Sequence, residues 1–301
     1  MRFLISSLFL SLPLLVLPVL TPCLIGPAIG QSQPKQQEWR EAVQKALQLG
    51  EFDKAIDQLK EAIQTHSEDI QAQLLLGRIL SHQRNYEEAV SAFSEAIRLN
   101  PRHLGAYQYR GDEQLKRGRF DDAITDFDKV IELDASRGPH HWQRGIALYY
   151  AKRYADGARQ FESHQTVNSK DVENAVWHFL CVTRDQGLEK AKSTLIPIVG
   201  DPRTPMTEVH DLFAGTATVS DVLKAANASP TEVSPRPMTS AQFYAYLYLG
   251  LYFDALGEPL KALPYLEKAA SQFERFNYMG EVARIHHLTL QGAANPKSKA
   301  L

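Results

Sequence analysis

A pattern of small and large side chains repeats every 34 residues in this chain. In the stretch that begins at residue 70, Gly77, Ala89 and Ala96 are the small residues, and Tyr86 and Phe93 are the large ones. The matching positions one and two periods further on hold Gly111, Phe120, Ala123 and Phe127, then Gly145, Tyr154, Gly157 and Phe161. A period of this length predicts repeated units that pack against their neighbours rather than around one central core.

The spacing inside one unit predicts a pair of helices. Ala89, Phe93, Ala96 and Ile97 stand at i, i+4, i+7 and i+8, and they therefore share one helix face. Glycine and alanine at the small positions let two helices approach closely, and the larger residues fill the space between them. Because one pair cannot bury its apolar face alone, successive pairs are expected to stack.

This pattern resembles the tetratricopeptide repeat (TPR), with units that begin at residues 36, 70, 104 and 138 and together span 36–171. We predict an all-α fold, a TPR helix-hairpin superhelix (α-solenoid) with about five clear and two degenerate hairpins and a closing helix. Beyond 171 the pattern weakens, and we expect degenerate hairpins over 172–226 and a proline-rich loop over 227–239. A further TPR unit with the closing helix is expected over 240–290, followed by a disordered tail over 291–301.

The first 30 residues have the features of a signal peptide. Arg2 precedes an uncharged apolar run from Phe3 to Leu20, and Ala28-Ile29-Gly30 offers small residues where a signal peptidase cuts. A polar leader over 31–35 follows. We expect cleavage after Gly30 and a periplasmic or secreted protein.

Two alternatives to simple cleavage remain open from the sequence. The apolar run over 3–20 is near the roughly 20 residues that span a bilayer, so it could act as a membrane anchor. Leu20-Thr21-Pro22-Cys23 imitates a lipoprotein box, and lipidation at Cys23 would also tether the chain. Neither is favoured, because proline stands where the box needs a small residue and because the run ends in a cleavable site.

Composition argues against several classes of protein. The 33 Lys and Arg against 35 Asp and Glu give a net charge of −2, and no local basic patch is present, so we expect no nucleic-acid partner. Two cysteines exclude a four-cysteine zinc module. The neighbours His140-His141 and His286-His287 would point about 100° apart on a helix, so we predict no metal and no cofactor.

The motifs of nucleotide-binding and hydrolytic active sites are absent from the sequence. We therefore predict that the protein is not an enzyme and has no small-molecule substrate. An active site built within the degenerate region 172–239 is the least favoured alternative.

In a TPR superhelix the first helix of each hairpin lines the concave groove, and we expect a protein partner to bind there. In the first three units its residues are mostly polar or charged: Arg40, Gln44, Gln48, Leu74, Arg78, His82, Gln108, Asp112 and Lys116. In the fourth unit they are apolar or aromatic: Trp142, Ile146, Tyr149 and Tyr150. Such a patch either anchors a partner's segment, as binding hot spots do, or is covered by degenerate hairpins that fold back over it. The sequence leaves both alternatives open.

A more specific resemblance lies in the fourth unit and near the C-terminus. The segment Arg144-Gly145-Ile146-Ala147-Leu148-Tyr149-Tyr150, and the hairpin over Phe243–Ala269 after a degenerate middle, resemble the bacterial NlpI-type TPR lipoproteins. The resemblance implies an extracytoplasmic adaptor, often a homodimer, that docks cell-wall hydrolases and an envelope protease without catalysis. The alternative is a TPR interaction module of another envelope machine, such as polysaccharide export or outer-membrane assembly.

Export with cleavage after Gly30 predicts a mature chain that begins at Gln31. Intact-mass measurement of the protein purified from its native envelope should give the mass of residues 31–301 without an adduct. A retained Met1 or a lipid adduct on Cys23 would contradict this expectation.

Overall fold

The computed structural model describes residues 34–228, 238–272 and 278–294, and every regular element within these ranges is helical. The all-α superhelix prediction is therefore confirmed. The expected signal peptide, the centre of the proline-rich loop and the end of the expected tail lie outside the described residues. Four helix pairs follow one another from the N-terminus: α1 (Pro34–Gln48) and α2 (Phe52–Thr65), α3 (Ile70–His82) and α4 (Tyr86–Leu99), α5 (Leu104–Lys116) and α6 (Phe120–Leu133), α7 (Trp142–Tyr150) and α8 (Tyr154–Gln165).

A less regular half follows, and a short 3-10 helix at Ala135–His140 precedes α7. Its helices are α9 (Val172–Gln186), α10 (Leu188–Ser193), α11 (Met206–Ala214), α12 (Val219–Ala225), α13 (Ser240–Ala255), α14 (Pro259–Gln272) and α15 (Tyr278–Ala294). Thr218 caps α12 in a capping box with Asp221. At the two ends, α1 begins inside the expected leader 31–35, and α15 continues four residues into the expected tail.

In the second, third and fourth pairs, a glycine on the first helix lies against an aromatic ring on the second helix. A Cβ added at Gly111 would lie 2.5 Å from Phe127 Cε1, and one added at Gly145 would lie 2.6 Å from Phe161 Cζ. The same contact recurs between α13 and α14, where Leu266 takes the place of the ring opposite Gly250. The repeat therefore fixes how closely the two helices of a pair approach.

The buried apolar residues form two clusters along the chain. The first runs from Val43 through the first two units to Ala106 at the start of α5. The second begins with Leu115 and continues through the irregular half to Ile285 in α15. Helix α13 lies deep in this second cluster and is apolar on all sides, as expected for a helix that is surrounded by others.

The turn inside five of the helix pairs places one residue in the left-handed region of backbone space. Glycine fills this position at Gly50, Gly118 and Gly257, where positive φ costs little. Arg84 and Lys152 occupy it with φ of 64° and 62°. A side chain with a Cβ is less favourable there by roughly 1–2 kcal/mol.

Gly111→Ala should destabilise the protein although alanine is the better helix former. The gain in helix propensity is about 1 kcal/mol, whereas a Cβ forced against Phe127 costs about 1–3 kcal/mol through overpacking. Urea unfolding should therefore show a lower free energy of unfolding, and the loss caused by Gly111→Ala should be smaller when it is made in a Phe127→Ala background.

Gly292→Ala in α15 is the matched control, because no atom would lie within 4 Å of its new Cβ. It should leave the free energy of unfolding unchanged or slightly raised. If both alanine variants behave alike, the glycine–ring contact does not limit the helix spacing.

Candidate binding groove

The aromatic patch of the fourth unit is covered. Ile146, Tyr149 and Tyr150 are only 1%, 6% and 9% exposed, and Trp142 is half-buried. Trp177 of α9 lies edge-on to both tyrosines, with ring centroids 5.5 and 6.0 Å away. The patch is therefore covered rather than exposed, but by α9 of the expected degenerate region together with α13 and α15, and not by degenerate hairpins alone.

A buried polar cluster centred on Asp254 holds the covering helices together. Tyr149 Oη donates to Asp254 Oδ2 at 3.3 Å, and Arg184 Nη2 donates to the same oxygen at 2.7 Å. His286 Nε2 of α15 lies 3.3 Å from that oxygen, and His286 Nδ1 lies 3.0 Å from Tyr150 Oη. Burial opposes ionisation of Asp254, but its contact with His286 and the charge of Arg184 outweigh burial and lower its pKa to about 2.

Helix α15 also reaches across the concave face of the third unit. Arg284 Nη2 donates to the carbonyl oxygen of Lys116 at 2.5 Å, at the end of α5. The ring of Tyr278 meets that of Trp142 edge-on at 4.9 Å. Because burial and the carboxylate of Asp112 raise the pKa of Tyr278, its hydroxyl stays protonated. The groove of the third and fourth units is thus filled by the chain's own C-terminal helix.

The polar residues under α15 form hydrogen bonds and an ion pair with one another. Lys116 Nζ lies 2.6 Å from Glu113 Oε1, and Ser81 Oγ donates to the same oxygen at 2.6 Å. Gln108 Nε2 donates to Asp112 at 3.3 Å. Burial raises the pKa of Asp112 to about 7, so its carboxyl group is partly protonated near neutral pH.

The concave face of the first two units, with the edge of the third, remains open. Arg78 and His82 on α3 are exposed, and Tyr109 on α5 is 36% exposed. The guanidinium carbon of Arg78 lies 5.9 Å from the centre of the Tyr109 ring, within cation–π range. The ring of His82 stacks on Phe52 at 4.7 Å. We call Arg78, His82 and Tyr109 the open groove, and Gln108, Asp112, Lys116, Trp142, Ile146, Tyr149 and Tyr150 the filled groove.

The part of 172–239 that the structure describes contains a clustered set of charges around Arg203. Its guanidinium pairs with Asp171 at 2.7 Å, with Asp201 at 2.6 Å and with Glu173. Tyr248 Oη of α13 donates to Glu173 Oε2 at 2.6 Å, and the backbone N–H of Val172 donates to Asp201 at 3.1 Å. These bonds fasten the irregular stretch between α10 and α11 to the start of α9 and to α13.

Several residues that build the groove carry no repeat signal. Arg84 lies in a turn, Asp254 lies in a helix that is otherwise apolar, and Glu281 and His286 interrupt the apolar stripe of α15. A buried charge or histidine on an apolar helix is the one available sequence signal, because such groups need partners. That signal indicates that the buried side chain contacts another polar group of the same chain, but it does not identify which group.

A protein-family model matches the regular half of the chain. The family is described as "Tetratricopeptide repeat", and it matches residues 40–103 and 110–166. These two stretches are tetratricopeptide repeats. The match covers the helix pairs whose first helices line both the open and the filled groove.

Among curated proteins, the "Lipoprotein NlpI homolog" of Haemophilus influenzae is 31% identical over 85 residues. The matched stretch is 28% of this chain and 27% of that relative, so the chain spans about a quarter of the relative's length. This likeness fits the NlpI-type resemblance noted from the sequence.

Solved structures share the fold. A tetratricopeptide repeat protein from Parabacteroides merdae superposes with a TM-score of 0.56 at 17% identity, over 85% of this chain and 98% of that one. A MamA RS-1 double mutant gives a TM-score of 0.50 at 19% identity, over 54% of this chain and 90% of the other. At these identities the likeness is one of fold alone.

Two searches of the described residues found nothing. None of their helices combines the length and hydropathy that a membrane crossing requires. Nor does this part of the chain bring together three or more His, Cys, Asp or Glu side chains in a way that suits a metal ion.

Replacing Tyr149 and Tyr150 together by serine should destabilise the fold rather than only remove a binding surface. Truncating buried aromatic residues costs about 3–5 kcal/mol each, and this pair also loses its bonds to Asp254 and His286. Thermal melting should show a large drop in Tm for the double variant.

Tyr109→Ser is the matched control, because Tyr109 is an exposed groove tyrosine. It should change the free energy of unfolding by less than about 1 kcal/mol. An unchanged Tm in the Tyr149→Ser/Tyr150→Ser variant would contradict the covered arrangement and restore the anchor interpretation.

Proposed function

We propose that this protein is an exported, non-catalytic TPR adaptor that holds a segment of a partner protein in the open groove. The observation that carries the proposal is a difference between equivalent positions of the repeat. Ile146 and Tyr150 of the fourth unit are covered, whereas Arg78 and His82, which stand at the equivalent positions of the second unit, are exposed. The accessible concave surface is therefore the polar end of the groove.

The chemistry of the open groove favours a partner segment that carries a carboxylate beside an apolar side chain. Within the described residues no Asp or Glu pairs with Arg78, so its guanidinium is available to a partner's carboxylate. Tyr109 beside it offers a rigid ring with a polar tip, the kind of surface on which binding hot spots form. Gln44 and Gln48 on α1 are also exposed and extend the surface with hydrogen-bonding groups.

An envelope location is supported by two independent features. The N-terminal sequence has the pattern of a signal peptide, and the Haemophilus influenzae relative is named a lipoprotein. We propose cell-wall hydrolases or an envelope protease as the partner class, and a homodimer as the assembled form. A TPR module of another envelope machine is the alternative, and the identity of the captured partner separates the two.

A role without catalysis is supported by the side chains present. A TPR array is typically a scaffold for protein interaction. Burial raises the pKa of the Cys181 thiol far above its ordinary value, which keeps it from acting as a nucleophile. The Arg203 cluster uses its charges to pair with one another.

A photo-crosslinking amino acid in place of Tyr109 should capture a partner in cells. Irradiation followed by mass spectrometry should identify an exported envelope protein, and Arg78→Glu should reduce the adduct severalfold by repelling the partner's carboxylate. The same crosslinker in place of Ser91, an exposed residue of α4 outside the groove, should capture nothing.

Arg98→Glu is the control for the charge change, because Arg98 is an exposed arginine on α4 that pairs with Glu95 in its own helix. It should leave the adduct intact. If position 109 gives no adduct, or if Arg98→Glu reduces the adduct as much as Arg78→Glu does, the open groove is not the binding surface.

A further inference from the structure

Helix α15 meets the groove as a bound helical ligand would. Tyr278, Glu281 and Arg284 lie at i, i+3 and i+6, so each is a neighbour of the next on the helix surface, and the three spread over about 120° of its circumference. Each makes a contact with a different part of the groove: the ring of Trp142, the guanidinium of Arg84 and the carbonyl oxygen of Lys116. Amphipathic helices that bind in grooves are likewise recognised through side chains a few residues apart that each meet a different part of the groove.

The ion pair between Arg84 and Glu281 gives this contact its specificity. Arg84 Nη2 lies 2.8 Å from Glu281 Oε1, and the glutamate side chain is only 6% exposed. Tyr86 lies against the same carboxylate, and burial together with that charge raises the pKa of the Tyr86 hydroxyl. Arg284 Nε lies 2.7 Å from Glu281 Oε2, so the buried carboxylate is held by two arginines, of which only Arg84 lies outside α15. A buried carboxylate is costly to leave without its partner, so the contact with Arg84 favours one register of the helix.

The backbone at Arg84 is consistent with a role in recognition. Three of the five equivalent turns use glycine at this left-handed position, yet here an arginine with φ of 64° reaches the helix in the groove. Lys152 occupies the equivalent turn with φ of 62°, so what distinguishes Arg84 is the contact that its side chain makes with Glu281. Strained positions of this type are commonly found where a contact has a function.

The end of α5 adds a second directional contact. The carbonyl oxygen of Lys116 belongs to the last turn of α5, and such carbonyls lack a partner within their own helix. Arg284 donates to this oxygen and places a positive charge at the negative end of the helix dipole. A cation three residues after the glutamate is thus part of what the groove recognises.

We propose that the filled groove, together with Arg84, is a second protein-binding site, and that α15 is its intramolecular ligand. The partner that fits is an amphipathic helix with an aromatic residue, a glutamate three residues later and a cation three residues after that. Such a helix replaces α15 against Arg84, Lys116 and Trp142. The site does not rest on the adaptor role, because it is defined by contacts within this chain.

The experiment measures the binding of a labelled peptide with the sequence of residues 278–294 to the full chain, by fluorescence anisotropy. In the wild type, α15 occupies the site, so the peptide should bind weakly. Glu281→Arg places like charges together and loosens α15. Since apparent affinity scales with the fraction of open sites, the peptide should then bind about tenfold or more tightly.

Charge swapping makes the result specific to the groove. A peptide with Glu281→Arg should not bind the Glu281→Arg protein, because Arg84 repels it. The double variant Arg84→Glu/Glu281→Arg restores the ion pair within the chain and should bind the native peptide as weakly as the wild type does. Glu95→Arg, which breaks an exposed pair with Arg98 on α4, is the matched control and should also behave as the wild type.

Glu281→Gln keeps the shape of the side chain and removes its charge, so it serves if Glu281→Arg does not fold. The Glu281→Gln protein should also bind the native peptide more tightly than the wild type does, with a smaller increase in affinity than the Glu281→Arg protein shows. It should again bind the native peptide more tightly than the Glu281→Arg peptide. Equal binding of both peptides to the loosened protein, or no binding of either peptide to any variant, would overturn the proposal. Neither result bears on the open groove, which the crosslinking at position 109 tests separately.

Discussion

The close contact between a glycine on the first helix and a bulky side chain on the second controls the geometry of this molecule. Where Gly77, Gly111 and Gly145 meet Phe93, Phe127 and Phe161, there is no room for a Cβ, so the helices of each pair approach to one fixed distance. Since each pair presents the same surface to the next, identical spacing leads to regular stacking. The curvature of the groove follows from this regularity.

The fourth unit shows how the regular pattern passes into the irregular half. Gly157 stands where the two preceding units have alanine, and a Cβ there would lie 2.8 Å from Cys181 Sγ. The thiol of Cys181 on α9 occupies the space that an alanine side chain would fill. This is one reason that α9 can pack closely against the fourth unit. From that point the packing is set by particular side chains, and α9, α13 and α15 gather over the aromatic patch.

The sequence predicts the fold well where one period repeats, and poorly where it stops. The 34-residue pattern was sufficient for the helix pairs over 36–171, because each position has the same neighbours in every unit. It was not sufficient for the groove, because whether Tyr149 and Tyr150 are exposed depends on residues more than a hundred positions away. The sequence leaves open whether the patch is exposed or covered. The contacts of Asp254 and His286 with the two tyrosines could not be predicted from the repeat, because no other unit contains them.

The pair formed by Arg84 and Glu281 joins residues that are 197 positions apart in a protein whose other contacts are mostly between neighbours. In a growing or translocating chain, the first units have their full set of neighbours long before α15 emerges. The filled groove of the third and fourth units is therefore without α15 for as long as it takes the last hundred or so residues to follow. The order in which the chain is made thus gives this groove an early period in which it is accessible to other proteins, and that period ends when the C-terminal helix arrives.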